Sequence, residues 1–179
     1  MKFRALTEDE IECRVGTVSK NGTGLSLLLY KTARADMNIL DETVGPENWQ
    51  CKFYECKGTM LCSIGIKVKR EDGTTEWVWK DDGGSPSDME AVKGELSDSR
   101  KRCGVAWGIG RCLYTAPFIW VPAEKCNIQP KGNRFTCYDR FKVAKIRIDE
   151  DGTTGRKRIT GVRIVNEKTG QIVFSWKEG

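Results

Sequence analysis

The residues of this sequence best suited to binding chemistry are cations grouped between residues 93 and 111. The group, called here the basic segment, consists of Lys93, Arg100, Lys101, Arg102 and Arg111. Lysine and arginine clustered in this way bind phosphate groups electrostatically and need no acid–base partner. The alternative is an ordinary solvated helix surface, on which Asp98 would pair with Arg102 four residues later. The pattern therefore indicates a polyanion site and leaves a structural role for the same charges open.

Composition excludes several kinds of catalysis. Histidine is absent, which excludes histidine general bases, Cys-His and Ser-His dyads and His-ligated metals. Eight cysteines are present, but no two have the C-x-x-C spacing, which argues against zinc. Cys62 and Cys103 fall where a small apolar residue is needed inside a strand and a helix. We therefore expect buried free thiols and a reducing compartment.

An acidic pair, Asp81 and Asp82, suggests a magnesium site, because carboxylates are preferred Mg²⁺ ligands. Together with Asp98 or Glu95 the pair would supply the carboxylates of a metal-dependent nuclease. Such chemistry requires several convergent carboxylates, and no spacing in the sequence guarantees that convergence. We therefore expect no metal, no other cofactor and no enzymatic activity, with the nuclease kept as an alternative.

Length and charge set the broad class. A chain of 179 residues is long enough for a single domain with a real core. A formal charge of +5 favours anionic partners without requiring one. The N-terminus MKFRALTEDE has no apolar stretch of a signal peptide, and no run approaches the length of a membrane span. We expect a soluble cytoplasmic protein with no membrane partner.

The basic segment requires a helix to position it. Ser85, Pro86 and Asp88 form a helix start, and Gly108 supplies a stop after Trp107. Small or apolar residues recur at steps of three and four, at Val92, Leu96, Ser99, Cys103 and Ala106. These residues predict a long helix with one buried face, and we expect its cations on the other face.

The N-terminal third predicts two helices and a hairpin. A capping box at residues 7–10 predicts a short helix to about Arg14. The turn K-N-G-T-G at residues 20–24 predicts a hairpin between strands 15–19 and 25–30, with Lys20 at the turn. Asp36 is the predicted cap of a second helix, which Gly45-Pro46 ends.

A three-stranded meander is predicted next, over residues 49–56, 60–69 and 75–80. In its middle strand Cys62, Ile64, Ile66 and Val68 alternate with more polar residues, so this set should face the core and the long helix. Trp77 and Trp79 share one side of the third strand. We expect them to pack in the core, the alternative being a base-stacking platform.

The C-terminal part predicts a hydrophobic segment, a loop and further strands. Residues 115–122 should cover one end of the core, and residues 123–133 read as a polar loop. Alternating segments from residue 141 onward predict basic strands joined by hairpin turns. The fold class is therefore α+β: a three-stranded antiparallel meander packed on a long helix, with an N-terminal helix and hairpin. We expect a core domain at residues 1–135 and a β-hairpin extension of that domain at residues 136–179.

Three stretches together resemble a known family. They are GLSLLLYKTARADMNILDETVGPENWQ, DGTTEWVWKDDGG and ELSDSRKRCGVAWGIGRCLYTAPFIW. The chain resembles the Sak-type single-strand DNA annealing proteins of phages, prokaryotic relatives of the eukaryotic Rad52 recombination mediators, from about Leu6 to Trp120. The resemblance implies a β-β-β-α core, assembly into rings, and ATP-independent annealing of complementary strands held in a basic groove.

The resemblance also implies DNA contacts at positions that match the family's motifs. Lys20 stands where the eukaryotic relatives have arginine, and Lys101-Arg102 coincide with their Lys-Arg pair. Their next arginine falls on Val105, so Arg111 or Arg100 would replace its charge. Lys93 aligns more weakly with a helix lysine of the relatives. The groove expected from the resemblance therefore lacks one family cation.

The implied partners are single-stranded DNA and further copies of the chain, in recombination and repair by a phage or prophage within its bacterial host. A single-strand-binding protein of the host or phage is a candidate protein partner. A non-catalytic adaptor for replication proteins is a further alternative, suggested by the basic C-terminal strands. Residues Cys112, Leu113, Phe118 and Trp120 are candidates for a subunit interface, with core packing as the alternative.

Overall fold

The computed structural model describes residues 1–85 and 91–179, with side chains at all of these except residues 91–93. Two α-helices and eleven strands are assigned within these residues. In chain order they are β1 (Ile11–Val18), β2 (Gly24–Lys31), α1 (Ala35–Val44), β3 (Trp49–Cys56), β4 (Thr59–Lys69), β5 (Thr75–Gly83), α2 (Ala91–Trp107), β6 (Ile119–Pro122), β7 (Ile128–Lys131), β8 (Arg134–Cys137), β9 (Phe141–Glu150), β10 (Lys157–Asn166) and β11 (Ile172–Lys177). The predicted α+β class with a β-meander is confirmed.

The chain divides into two compact units. Unit 1 comprises Met1–Ala5 and Thr32–Arg111, and unit 2 comprises Leu6–Lys31 and Cys112–Gly179. The predicted domain boundary after residue 135 stays a prediction. Within the described residues no helix is both long enough and apolar enough to cross a membrane.

Unit 1 contains the antiparallel meander β3-β4-β5. Cys62, Ile64 and Ile66 of β4 are at most 1% exposed, which confirms them as core residues. Strand alternation places these three side chains on one face, and α2 bonds to that part of the sheet. Its Trp107 indole N–H donates to the carbonyl of Ile64 at 2.9 Å, and the Cys103 thiol donates to the carbonyl of Lys80 at 2.9 Å.

Helix α2 ends at Trp107, as the glycine after it predicts. The predicted start at Pro86 and Asp88 lies outside the described residues, so the full length of the helix stays a prediction. A close approach joins the end of β5 to α2 at Gly84, where a Cβ would lie 2.3 Å from the Glu95 carbonyl oxygen. Only glycine fits there without displacement of the helix backbone.

Two sequence predictions in the N-terminal part are wrong. The helix predicted to Arg14 is limited to a 3-10 turn at Glu8–Glu10, although the N–H of Thr7 does donate to the Glu10 carboxylate at 3.0 Å. The chain then enters β1, because pairing with two neighbouring strands buries Ile11 and overrides local helix preference. Helix α1 begins at Ala35 with Arg34 at its cap, whereas the predicted cap, Asp36, is buried in the first turn.

Unit 2 is built on a six-stranded antiparallel sheet in the order β11-β10-β9-β1-β2-β6. The hairpin at Lys20 and the C-terminal strands are confirmed. The pairing of β9 with β1 was not predicted, because it joins residues more than a hundred positions apart. The apolar core of this unit includes Leu25, Leu27, Ile119, Val121, Val162 and Ile164.

Two further corrections concern the segment after α2. The predicted polar loop at residues 123–133 is wrong, since β7 and β8 form a hairpin that turns at Gly132, whose φ of +59° favours glycine. The hydrophobic segment before it covers the core only with alternate residues. Ile119 and Val121 are buried, whereas Phe118 and Trp120 are 76% and 38% exposed.

Candidate nucleic-acid interface

Arg102 of the basic segment forms an exposed ion pair with Asp82. Its Nε lies 3.2 Å from Asp82 Oδ1 at the end of β5, and half of its side chain is exposed. The pair with Asp98, which the alternative interpretation expected, is not formed, because Asp98 instead accepts the backbone N–H of Ser85 at 3.0 Å. An exposed pair of this kind is weak in water, so a phosphate could replace the carboxylate at low cost.

Lys101 precedes Arg102 on α2 and is half-buried. Lys93 lies within the bounds of α2, but its side chain is outside the described residues. Val105, where the family resemblance implied an arginine, is also half-buried. The described part of α2 therefore carries two adjacent cations, Lys101 and Arg102, whose role as DNA contacts stays a prediction.

Arg100 was expected on the solvent face and is instead turned toward the sheet. One guanidinium nitrogen lies 3.6 Å from the Met37 sulfur, and the guanidinium carbon lies 5.4 Å from the ring centroid of Phe53. Its Nε is buried without a hydrogen-bond partner. Arginine packs in this way because its long stem and flat head suit an aromatic face. The side chain of Arg100 thus belongs to the packing of unit 1.

Arg111 follows the helix and closes its C-terminal end. The guanidinium donates to the carbonyl of Val105 at 3.1 and 2.9 Å and to that of Ala106 at 3.0 Å. The ammonium of Lys80 also donates to Ala106, at 2.9 Å. Cations near the last carbonyls of a helix stabilise it by satisfying unpaired acceptors and the dipole. Arg111 remains exposed, but its hydrogen bonds give it a structural role.

Lys20 belongs to unit 2 and is exposed at the hairpin turn. The turn is closed by the N–H of Gly22 donating to Ser19 at 3.0 Å. A cleft of about 680 Å³ lies between this turn and β8, and both Lys20 and Arg134 line it. Arg134 was missed by sequence reasoning, because it begins a strand, β8, that the sequence did not predict. The cleft therefore presents two exposed cations rather than one.

The four carboxylates of the nuclease alternative do not converge, and three of them have separate partners. Asp82 pairs with Arg102. Asp98 accepts the backbone N–H of Ser85, and Glu95 accepts the backbone N–H of Met60 at 2.8 Å. Asp81 was predicted in a loop but lies in β5, one residue from Asp82 and thus on the opposite sheet face. No group of three metal-ligating side chains occurs in the part of the chain that is described. The geometry gives the nuclease alternative no support.

Three cysteines meet beneath α2. The sulfurs of Cys51 and Cys62 are 3.4 Å apart, and Cys103 lies on the facing helix. The hydrogen bond from Cys62, assisted by the positive charge of Arg100, lowers the pKa of Cys51 to about 7. The predicted free thiols are confirmed, but Cys56 is exposed, so burial holds only for part of the set.

Trp77 and Trp79 do not face the helix. Trp79 pairs with Gly65, and a Cβ at that glycine would lie 2.7 Å from the indole ring. The two ring centroids are 6.0 Å apart, and Trp77 is 36% exposed. The expected core packing is therefore wrong, since these rings lie on the sheet face opposite Ile64.

Unit 2 also exposes aromatic side chains at its edge strand. Phe118 and Trp120 of the β6 segment stack with centroids 6.3 Å apart. Leu28 and Tyr30 on the neighbouring strand are 47% and 37% exposed. Cys112, by contrast, is only 4% exposed and belongs to the core. An exposed apolar patch on an edge strand is typical of a protein interface.

Two curated relatives are similar to the chain. They are the single-stranded DNA-binding proteins DdrA of Deinococcus deserti, 31% identical over 117 residues, and of Deinococcus radiodurans, 32% identical over 105 residues. The matches cover 64% and 59% of this chain, and the chain spans 55% and 49% of the two relatives. No solved structure matches the chain.

The matched region covers the cations predicted from the sequence, whereas Arg134 lies just beyond it. A model of the Rad52/22 family of double-strand break repair proteins matches residues 4–132, which include β1, β2, the meander and α2. The match extends over well more than half of the chain. The chain therefore belongs to the Rad52/22 family of double-strand break repair proteins.

Proposed function

We propose that this protein binds single-stranded DNA and anneals complementary strands, in the recombination and repair of a phage or prophage. The observation that carries this proposal is the family match over residues 4–132, which includes both Lys20 and the Lys101-Arg102 pair. The similarity to the two DdrA relatives, which are single-stranded DNA-binding proteins, supports it.

Annealing needs a surface that holds phosphates and leaves the base edges accessible. Cations provide this without acid–base chemistry, so the reaction needs neither histidine nor ATP. We assign the principal contacts to Lys20, Lys101 and Arg102. Arg102 would exchange its Asp82 carboxylate for a DNA phosphate, which costs little because both side chains are partly exposed.

The other cations of the basic segment have different proposed roles. Arg100 and Arg111 hold α2 in place through the contacts described above, and we assign them to support rather than direct contact. Arg134 joins Lys20 in the hairpin cleft and is added to the proposed contacts. Lys93 stays a predicted contact.

Unit 1 is proposed to be the β-β-β-α core of the family. Its three antiparallel strands precede α2 in the chain, and hydrogen bonds from Cys103 and Trp107 join that helix to β5 and β4. Lys101 and Arg102 lie on this helix, and half of the Arg102 side chain is exposed. The core would thereby fix the spacing between neighbouring cations.

A ring of subunits is proposed because one subunit offers too few cations for a continuous DNA track. The exposed aromatic patch on the β2 and β6 strands supports this proposal. Phe118 is 76% exposed and stacks on Trp120, and burial of both rings against another copy would be favourable.

The test is annealing of two complementary oligonucleotides that carry a fluorescence donor and acceptor, without any nucleotide or metal. We expect energy transfer to rise faster with the protein than without it, and the acceleration to decrease as salt increases. A heat-denatured sample is the control. An unchanged annealing rate at protein concentrations that bind the separate strands would refute annealing, and degradation of the oligonucleotides in Mg²⁺ would favour the nuclease.

A further inference from the structure

The strands β9, β10 and β11 present cations on one exposed face, outside the residues that the family model matches. Lys145 lies directly opposite Arg163 in the β9–β10 pairing. In the next row Gly161 lies between Arg147 on β9 and Lys177 on β11. We call the cations Lys145, Arg147, Arg163 and Lys177 the C-terminal basic face.

The pairing of like charges on this face is unfavourable for folding. Two cations directly opposite each other in a sheet repel and destabilise the pairing. Within the described residues, Lys145, Arg163 and Lys177 have no carboxylate within 4.0 Å, whereas Arg147 has Asp149 at 2.8 Å. Three unneutralised charges in one small area therefore have no structural explanation and suit an external anion.

The face is also shaped to admit a ligand. A concavity of about 330 Å³ lies on it, and Lys145, Arg147, Arg163, Ser175 and Lys177 are among its lining residues. Gly161 forms its floor, where an added Cβ would lie 3.5 Å from the Arg147 Cβ and 3.6 Å from the carbonyl oxygen of Trp176. The missing side chain leaves a trough between the stems of Arg147 and Lys177.

The chemistry of the trough favours a double-stranded nucleic acid over a single strand. Single strands are usually bound with aromatic rings on which the bases stack. Phe174 and Trp176 alternate with Ser175 and Lys177 along β11, so their rings point to the opposite face, and Trp176 borders the concavity with its backbone carbonyl. The C-terminal basic face therefore presents cations spaced about 5 Å across strands and about 7 Å along them. This spacing of charges suits the closely spaced phosphates of a DNA duplex.

We propose that the C-terminal basic face binds double-stranded DNA through its phosphates, at a site separate from the proposed single-strand contacts. The proposal goes beyond strand annealing and does not depend on it. The site would recognise backbone charge and would therefore show no sequence preference.

The test compares the variant Lys145→Gln/Arg163→Gln/Lys177→Gln with the wild-type protein, using a labelled DNA duplex and a labelled single strand in a salt series. Loss of three phosphate contacts should lower the salt slope for the duplex by about 2.7 and weaken duplex binding at least about tenfold at low salt. Single-strand binding should stay within about twofold. Removal of the repulsion between opposite cations should leave the melting temperature unchanged or raise it.

The matched control is Lys67→Gln/Lys69→Gln/Lys168→Gln, which removes the same net charge at exposed positions elsewhere. A second variant, Ser175→Glu, keeps every cation and adds a carboxylate to the trough, and it should also weaken duplex binding. The proposal is overturned if the wild-type protein does not bind duplex DNA. It is equally overturned if the triple variant binds the duplex as the control does, or if its affinities for the duplex and the single strand fall in parallel. A melting temperature below that of the wild-type protein would also overturn it.

Discussion

The Lys101-Arg102 pair gives the sharpest test of the single-strand site. We expect Lys101→Gln/Arg102→Gln to weaken binding of a single-stranded oligonucleotide while the protein stays folded. Each lost phosphate contact on a single strand reduces the salt slope by about 0.7, so the double variant should reduce it by about 1.4. When the salt concentration rises about fourfold, the affinity of the variant for the single strand should therefore fall about sevenfold less than that of the wild-type protein.

The cost in stability follows from the exposure of the Arg102 ion pair. The side chains of Arg102 and Asp82 are 50% and 33% exposed, so solvent screens the pair and its contribution is about 0.2–1 kcal/mol. For a chain of this length, the melting temperature should fall by no more than about 4 °C. Asp82 keeps a second partner, because it also accepts the backbone N–H of Gly83 at 2.8 Å.

The assay is fluorescence anisotropy of a labelled oligonucleotide in a salt series, with thermal melting of the same samples. Lys67→Gln/Lys69→Gln removes two exposed charges on β4 and is the matched control. Asp82→Asn separates the two roles of Arg102, because it releases the guanidinium and keeps an acceptor for Gly83. If Arg102 contacts DNA, Asp82→Asn should bind the oligonucleotide as tightly as the wild-type protein or more tightly. Glu71→Gln removes one negative charge elsewhere and is the control for the change in net charge.

Two outcomes would refute the assignment. If the Lys101/Arg102 variant binds as the control does, the pair is not at the DNA site. If Asp82→Asn and Arg102→Gln lower the melting temperature and the affinity together, Arg102 acts by holding α2 against β5. The contact would then be structural.

Three further predictions concern packing, thiol chemistry and assembly. Gly84→Ala should destabilise the protein by about 2 kcal/mol, measured by urea unfolding, because its Cβ would lie 2.3 Å from the Glu95 carbonyl oxygen; unchanged stability would contradict this contact. Alkylation of Cys51, followed by peptide mass spectrometry, should increase as pH rises through about 7, since its lowered pKa yields thiolate there; a midpoint near that of an ordinary thiol would contradict the shift. Phe118→Ser/Trp120→Ser should give smaller assemblies by light scattering with unit 2 still folded, and assemblies of wild-type size would exclude this patch as the interface.

The meander was predictable because its signals are local. Alternation along β4 identifies Cys62, Ile64 and Ile66 as one face, and Gly73 supplies the positive φ that the turn after that strand requires. The end of α2 at Trp107 was likewise marked by the following glycine. Each of these features depends on residues only a few positions apart.

Side-chain partners in the candidate site were not predictable in the same way. Helical spacing allowed Asp98 to pair with Arg102, but the chain brings the end of β5 closer, and Asp82 takes that position. Arg100 sits beside the buried helix face, and its long stem reaches the ring of Phe53 instead of solvent. Both outcomes depend on which strand adjoins the helix.

The sequence by itself determined the α+β class, the hairpin at Lys20, the meander and the family, because periodicity, turn residues and motifs each depend on residues close together in the chain. Tertiary structure alone decided that residues 11–18 form a strand, since the burial gained by pairing with β2 and β9 exceeds any local helix preference. It also decided that Lys145 lies opposite Arg163, because strand register sets which distant side chains become neighbours.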